Sequence, residues 1–116
     1  MAHADCLFCK IVDGKIPSTK VFENESVIAF KDLHPLALKH YLFIHREHTR
    51  DIVDMMDTDP AQIQDIFKAI SQFSKTEGLT NSGLRVVTNL GAHGGQSVFH
   101  THFHLLGGES LGRFGK

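Results

Sequence analysis

Gln96-Ser97-Val98-Phe99-His100-Thr101-His102-Phe103-His104-Leu105-Leu106 is the stretch on which the reading of this chain turns. Three histidines alternate with Thr101 and Phe103, and two leucines follow. Side chains on a strand alternate between faces with period two. His100, His102 and His104 are therefore expected on one face of a sheet, with Thr101, Phe103 and Leu105 on the other. Imidazole titrates near neutrality and serves as base, nucleophile or metal ligand. The bland alternative is a solvent-facing strand with incidental histidines. Repetition of one titratable ring at every second position argues for a site instead.

The totals set the frame. The chain has 116 residues, room for one domain (1–116) and one core. Apolar residues make up 41%, ordinary for a globular chain, and the formal charge of −1 gives no long-range pull toward nucleic acid or membrane. Nine histidines in this length are an excess that points to a site. Met1-Ala2-His3-Ala4-Asp5 has no apolar signal core, and no apolar run approaches a membrane span. The expected compartment is the cytoplasm, where Cys6 and Cys9 stay reduced.

Upstream of the histidines, Lys20–Glu23 and Val27–Lys31 read as strands around an Asn24-Glu25-Ser26 turn. Tyr41–His45, apolar on both faces, reads as a buried central strand led in by Leu36–His40. His45 has no assigned role, with surface as the default. His48-Thr49-Arg50-Asp51 opens a short helix, with Thr49 as its N-cap. Asp59-Pro60-Ala61-Gln62 starts a long helix, with Asp59 as N-cap and Gln62 reaching back. Ile63, Ile66, Phe67, Ile70 and Phe73 form its apolar stripe, and Gly78 stops it. Asn81-Ser82-Gly83 turns the chain into a fourth strand, Leu84–Asn89. No helix joins strands in a repeating βαβ pattern, so the fold class is α+β with a five-stranded, mainly antiparallel sheet.

Three further stretches carry candidate chemistry. Cys6-Leu7-Phe8-Cys9, in a short helix ending near Asp13-Gly14, is a redox pair, two inert buried thiols, or half of a zinc site; no βαβ pattern supports the first. Asp32, before His34-Pro35, is either a turn residue bonding its own backbone or a carboxylate placed for two hydroxyl donors. Gly91-Ala92-His93-Gly94-Gly95 is not a dinucleotide fingerprint, because the spacing is wrong and it joins two strands. It makes a tight connection, and it allows backbone N–H groups near an oxyanion.

His-Thr-His-Phe-His-Leu-Leu, preceded by Gly-Gly-Gln-Ser-Val-Phe, resembles the signature His-φ-His-φ-His-φ-φ of the histidine triad (HIT) proteins. The Gly-Gly-Gln-Ser lead-in and the trailing Gly107-Gly108 look most like the Hint branch. Thr101 departs from the pattern, which wants an apolar residue there. The resemblance implies a HIT fold and a nucleotidyl hydrolase acting on purine nucleoside phosphoramidates through a nucleotidyl-histidine intermediate. It implies that His102 attacks the α-phosphorus, and that His104, Asn89 and the amides near Gly95 and Ser97 stabilise the phosphoryl oxygens. His40 would order the triad from behind, and Asp32 would bind the ribose of an AMP- or GMP-like ligand. Leu7, Phe8, Ile11, Phe30 and Leu33 would form the slot for the base.

Several bacterial HIT proteins, and the related galactose-1-phosphate uridylyltransferases, carry a structural zinc. The matching ligands here are Cys6, Cys9, His48 and His100; no catalytic metal is implied. Hint-like proteins are homodimers that pair long helices and extend their sheets, which makes Phe67, Ile70 and Phe73 candidates for that contact, with a plain core role as the alternative. Two other readings stay open: a dinucleoside polyphosphate hydrolase of the same family, and a non-catalytic nucleotide- or partner-binding protein. The tail from Glu109 to Lys116 departs from the Trp- and Pro-rich animal pattern, leaving open whether Phe114 takes over its part in substrate choice.

Overall fold

The computed structural model describes residues 5–113. The four N-terminal residues read above for a leader, and Phe114, lie outside the described residues. The element order is α1 (Leu7–Val12), β1 (Lys20–Glu23), β2 (Val27–Lys31), β3 (Lys39–His45), α2 (Ile52–Thr58), α3 (Ala61–Thr76), α4 (Leu79–Ser82), β4 (Leu84–Val87) and β5 (His102–Gly107). The strands form one sheet in the order β1-β2-β3-β5-β4, and each neighbouring pair is antiparallel. The fold is α+β, as expected.

Local chemistry explains the elements. The β1–β2 turn forms because Asn24 Oδ1 accepts from the N–H groups of Ser26 and Val27, both at 2.8 Å. β3 is central, between β2 and β5, and is buried from His40 onward. Alternation then gives two unlike faces. On one, Val27, Ala29, Tyr41, Phe43, Phe103 and Leu105 pack against Met55, Ile66, Ile70 and Phe73 of α2 and α3. On the other, Ile28, Phe30, Leu42 and Ile44 pack against Phe8 and Ile11 of α1. His104 stands beside Leu42, and His102 beside Ile44, on that second face.

The structure corrects several of these expectations. α2 is capped by Asp51, whose side chain accepts from Asp54 N–H at 2.9 Å; Thr49 is buried and bonds Thr101 instead. Gln62 does not reach back to cap α3 but turns inward, donating from Nε2 to Glu47 at 2.8 Å; Asp59 Oδ1 does accept from Ala61 N–H. His45 is buried, with Nε2 3.1 Å from Asp65 Oδ2, because β3 runs under α3. Of the two roles open to the α3 stripe, Ile70 and Phe73 take the core one, and Phe67 is the exposed aromatic. α4, read from sequence as a turn, is one helical turn between Gly78 and Gly83, both at positive φ.

Candidate active and metal sites

β5 begins only at His102, so the three histidines do not share one strand face. His100 lies one bend earlier and turns into the protein, 1% exposed. Its Nε2–H donates to the His45 carbonyl at 3.2 Å. Nδ1 therefore carries a lone pair, which faces Cys6 Sγ at 3.3 Å, Cys9 Sγ at 3.5 Å and His48 Nδ1 at 3.1 Å. Cys9 Sγ is 3.2 Å from His48 Nδ1. The helical turn of α1 brings both thiols to one side, with Cys6 as its N-cap accepting from Cys9 N–H. These four ligand atoms lie within 4.8 Å of one another. The edges of a tetrahedron of zinc–thiolate and zinc–imidazole bonds are roughly 3.3–3.8 Å. The donor set and spacing therefore fit a closed Cys2His2 site. The His45 carbonyl is the outer partner that fixes the ligand's tautomer.

His102 and His104 stay on the open face, ring centroids 5.2 Å apart. A chain of hydrogen bonds assigns their protons. Leu36 N–H donates to His40 Nδ1 at 3.0 Å, so the proton of neutral His40 is on Nε2. That Nε2 is 2.8 Å from His104 Nδ1 and 3.4 Å from Asp32 Oδ2. His104 thus accepts at Nδ1 and carries its proton on Nε2. His102 Nδ1–H donates to the His100 carbonyl at 2.7 Å, which leaves a lone pair on its Nε2. Asp32, His40 and His104 are spaced closely enough to hold a metal ion. The Leu36 amide opposes that use, because it needs the lone pair of His40 Nδ1 and so keeps the proton on Nε2.

Burial favours the neutral form of these rings. Desolvation holds His40 and His102 below the ordinary imidazole value, more strongly than Asp32 and, for His102, the His100 carbonyl raise them. His104 is pushed down to about 4, first by burial and then by repulsion from His102 and His40.

Two clefts meet at His102, His104 and Ser97. One, about 320 Å³, is largely apolar, with Leu7, Phe8, Ile11, Phe30 and Leu33 in its wall and Asp32 at its rim. Phe8 meets the His102 ring edge-on, centroids 5.1 Å apart. The other, about 1150 Å³, is lined by Asn89, Gly94, Gly95, Arg85 and Glu109 among others. Asp32 fulfils its turn reading, with Oδ1 accepting from His34 N–H at 2.8 Å.

The glycine loop departs from expectation in detail. Gly95 N–H donates to the Ala92 carbonyl, and one Asn89 side-chain N–H donates to the Gly94 carbonyl at 2.6 Å. These donors close the loop on itself instead of facing the cleft. Gly95 has φ +77°, and a Cβ on Gly94 would collide with the Leu90 backbone.

This geometry agrees with what comparison finds. The HIT domain family profile matches residues 13–111. The chain belongs to the HIT domain family. A histidine triad protein from Clostridium difficile superposes with a TM-score of 0.94 at 40% identity, covering 99% of this chain and 100% of that one. A HIT family hydrolase from Clostridium thermocellum gives a TM-score of 0.91 at 39% identity, covering 97% of each chain. Over 108 residues the chain is 33% identical to a protein of Escherichia coli described as a purine nucleoside phosphoramidase, covering 93% of this chain and 91% of that protein.

Within this HIT fold, sequence reasoning missed three residues that build the site. Gln96 is buried and staples the loop: Oε1 accepts from Gly91 N–H, and Nε2 donates to the carbonyls of Arg50 and Val98. Its place in the lead-in was the available signal. His45 supplies the carbonyl under His100, and Thr49 anchors Thr101. Neither contact has a signature in local sequence.

Proposed function

We propose that this HIT protein is a nucleotidyl hydrolase that cleaves the P–N bond of purine nucleoside 5′-phosphoramidates. The observation that carries the reading is the lone pair of His102 Nε2, fixed by the His100 carbonyl where the two clefts meet. An apolar slot suits a flat purine, Asp32 at its rim suits the ribose hydroxyls, and the wider cleft suits the leaving group. His102 Nε2 attacks the α-phosphorus; the P–N bond breaks as the nitrogen takes a proton from solvent and leaves as the neutral amine, giving a cationic nucleotidyl-histidine that keeps its Nδ1–H. Water then attacks this intermediate and gives up one proton to solvent, releasing nucleoside monophosphate and restoring neutral His102. The Nε2–H of His104, Ser97 and the remaining Asn89 N–H stabilise charge on the phosphoryl oxygens, and His40 and Asp32 keep His104 in the donating tautomer. Likeness to the Escherichia coli protein described as a purine nucleoside phosphoramidase supports the substrate class.

On the same reading Cys6, Cys9, His48 and His100 hold zinc, which cross-links α1, the segment after β3 and the approach to β5. The chain acts as one domain in a homodimer in the cytoplasm. The test is release of AMP from adenosine 5′-phosphoramidate. Wild type should release AMP, and His102→Ala should lose about four orders of magnitude in turnover, as deleting a nucleophile does elsewhere. Retention of more than about a tenth, a barrier change under about 1.4 kcal/mol, overturns the assignment of His102. Cleavage of a dinucleoside polyphosphate without cleavage of the phosphoramidate overturns the substrate class.

A further inference from the structure

Thr101 is the polar residue inside the triad, and it is 1% exposed. Its amide N–H donates to the Thr49 carbonyl at 2.9 Å, and its hydroxyl donates to the same carbonyl at 3.2 Å. The two hydroxyl oxygens are 2.7 Å apart. Since the Thr101 hydroxyl proton is used on the carbonyl, the proton between the oxygens comes from Thr49. Both hydroxyls are satisfied in a closed ring, in a place where an unpaired hydroxyl would be costly.

This ring sits on the chain of atoms that aims His102. The bond from His102 Nδ1–H to the His100 carbonyl spans two residues, so its geometry passes through the backbone torsions of Thr101. The sheet does not hold those torsions, because β5 and its pairing with β3 begin at His102. Thr49 does, from the opposite side of the chain to the cleft. A valine at position 101 would match the shape and the alternating pattern of the triad but would remove both hydroxyl contacts.

We propose that Thr49 and Thr101 are positioning residues that hold the His100 carbonyl against His102 Nδ1 and so keep the lone pair of Nε2 in the cleft. The proposal rests on His102 being the nucleophile. Its reach is specific: turnover should depend on the hydroxyl at 101, while nucleotide affinity should not.

The experiment measures single-turnover AMP release, AMP affinity and the side-chain ¹⁵N spectrum of His102 in wild type, Thr101→Val, Thr101→Ser, Thr49→Val and His102→Ala. Thr101→Val should lose about tenfold in rate, equal to about 1.4 kcal/mol of barrier, with AMP affinity within twofold of wild type. Its spectrum should gain the Nε2–H tautomer of His102. Thr101→Ser should restore the rate to within twofold. Thr49→Val keeps the bond from the Thr101 hydroxyl to the Thr49 carbonyl and should lose about threefold; it carries the test if Thr101→Val does not fold. A Thr101→Val rate within twofold of wild type, or a loss that Thr101→Ser shares, overturns the proposal. If Thr101→Val does not fold, an unchanged rate in Thr49→Val does the same. His102→Ala separates the two readings: if it keeps turnover, the nucleophile assignment fails; if it is inactive while Thr101→Val is fully active, only the positioning role fails.

Discussion

Among single residues, the decisive fact is which nitrogen carries each proton. His100, His102 and His104 are equivalent in composition, yet each has a different partner and therefore offers a different atom. His100 presents Nδ1 to two thiols, His102 presents Nε2 to the cleft, and His104 presents an N–H. A pH dependence follows. His40, His102 and His104 all lie below the ordinary imidazole value in the folded chain, His104 at about 4. As pH falls below about 6.5, the unfolded chain takes up protons that the folded chain refuses. The contribution of these three rings to stability is thus full above about 6.5 and falls from there toward 4. Melting temperature should drop between pH 7 and pH 5, and less steeply in His104→Gln. The acid limb of kcat/KM should have its midpoint below 6.5, because attack needs neutral His102. A limb centred at or above 6.5, or a flat melting profile, contradicts the assigned burial.

Among elements, the caps and the loop fix where the site residues stand. α2 starts at Asp51 because its carboxylate reaches Asp54 N–H, which leaves Thr49 unused as a cap and available to bond Thr101. The sequence reading puts the cap on Thr49, and Ser, Thr, Asp and Asn are close enough in capping preference for the tertiary contact to decide. Asp51→Ala should cost about 1 kcal/mol, read as a loss of roughly 4 °C in melting temperature. Thr49→Ala should leave the start of α2 intact by amide exchange, since Thr49 does not cap it. The late start of β5 has a comparable physical origin. Thr101 N–H bonds Thr49, so it is withheld from a β-ladder.

Over the whole molecule, the sheet has two unlike faces, and on the open one a cluster of two cysteines and two histidines joins three segments. α1, the segment after β3 and the approach to β5 all meet there, through Cys6, Cys9, His48 and His100. Purified protein should carry about one zinc per chain by elemental analysis, and Cys6→Ala should lose it. Metal-free wild type whose melting temperature ignores a chelator would reject this. The chain should also be a dimer by light scattering at micromolar concentration. The exposed ring of Phe67 on α3, 5.6 Å from Phe103, is the expected anchor, and Phe67→Asp should yield monomer. A monomeric wild type rejects the dimer.

Sequence by itself determined what repeats locally. Period-two alternation placed Phe103 and Leu105 in the core and His102 and His104 opposite them, and the β1–β2 turn, the end of α1 and the stop of α3 at Gly78 were legible for the same reason. The motif marked His100, His102 and His104 as candidate site residues, because its spacing is contiguous. Only the tertiary structure decided what depends on a distant partner. It turned His100 out of the triad face, because its Nε2–H finds the carbonyl of His45, 55 residues away in the chain. It buried His45 under α3 and directed Asn89 and Gly95 into their own loop. It also gave Thr101 its role, since a buried hydroxyl must find an acceptor and the nearest is Thr49, 52 residues away. Such partners are chosen by how the chain crosses itself, which no local pattern records.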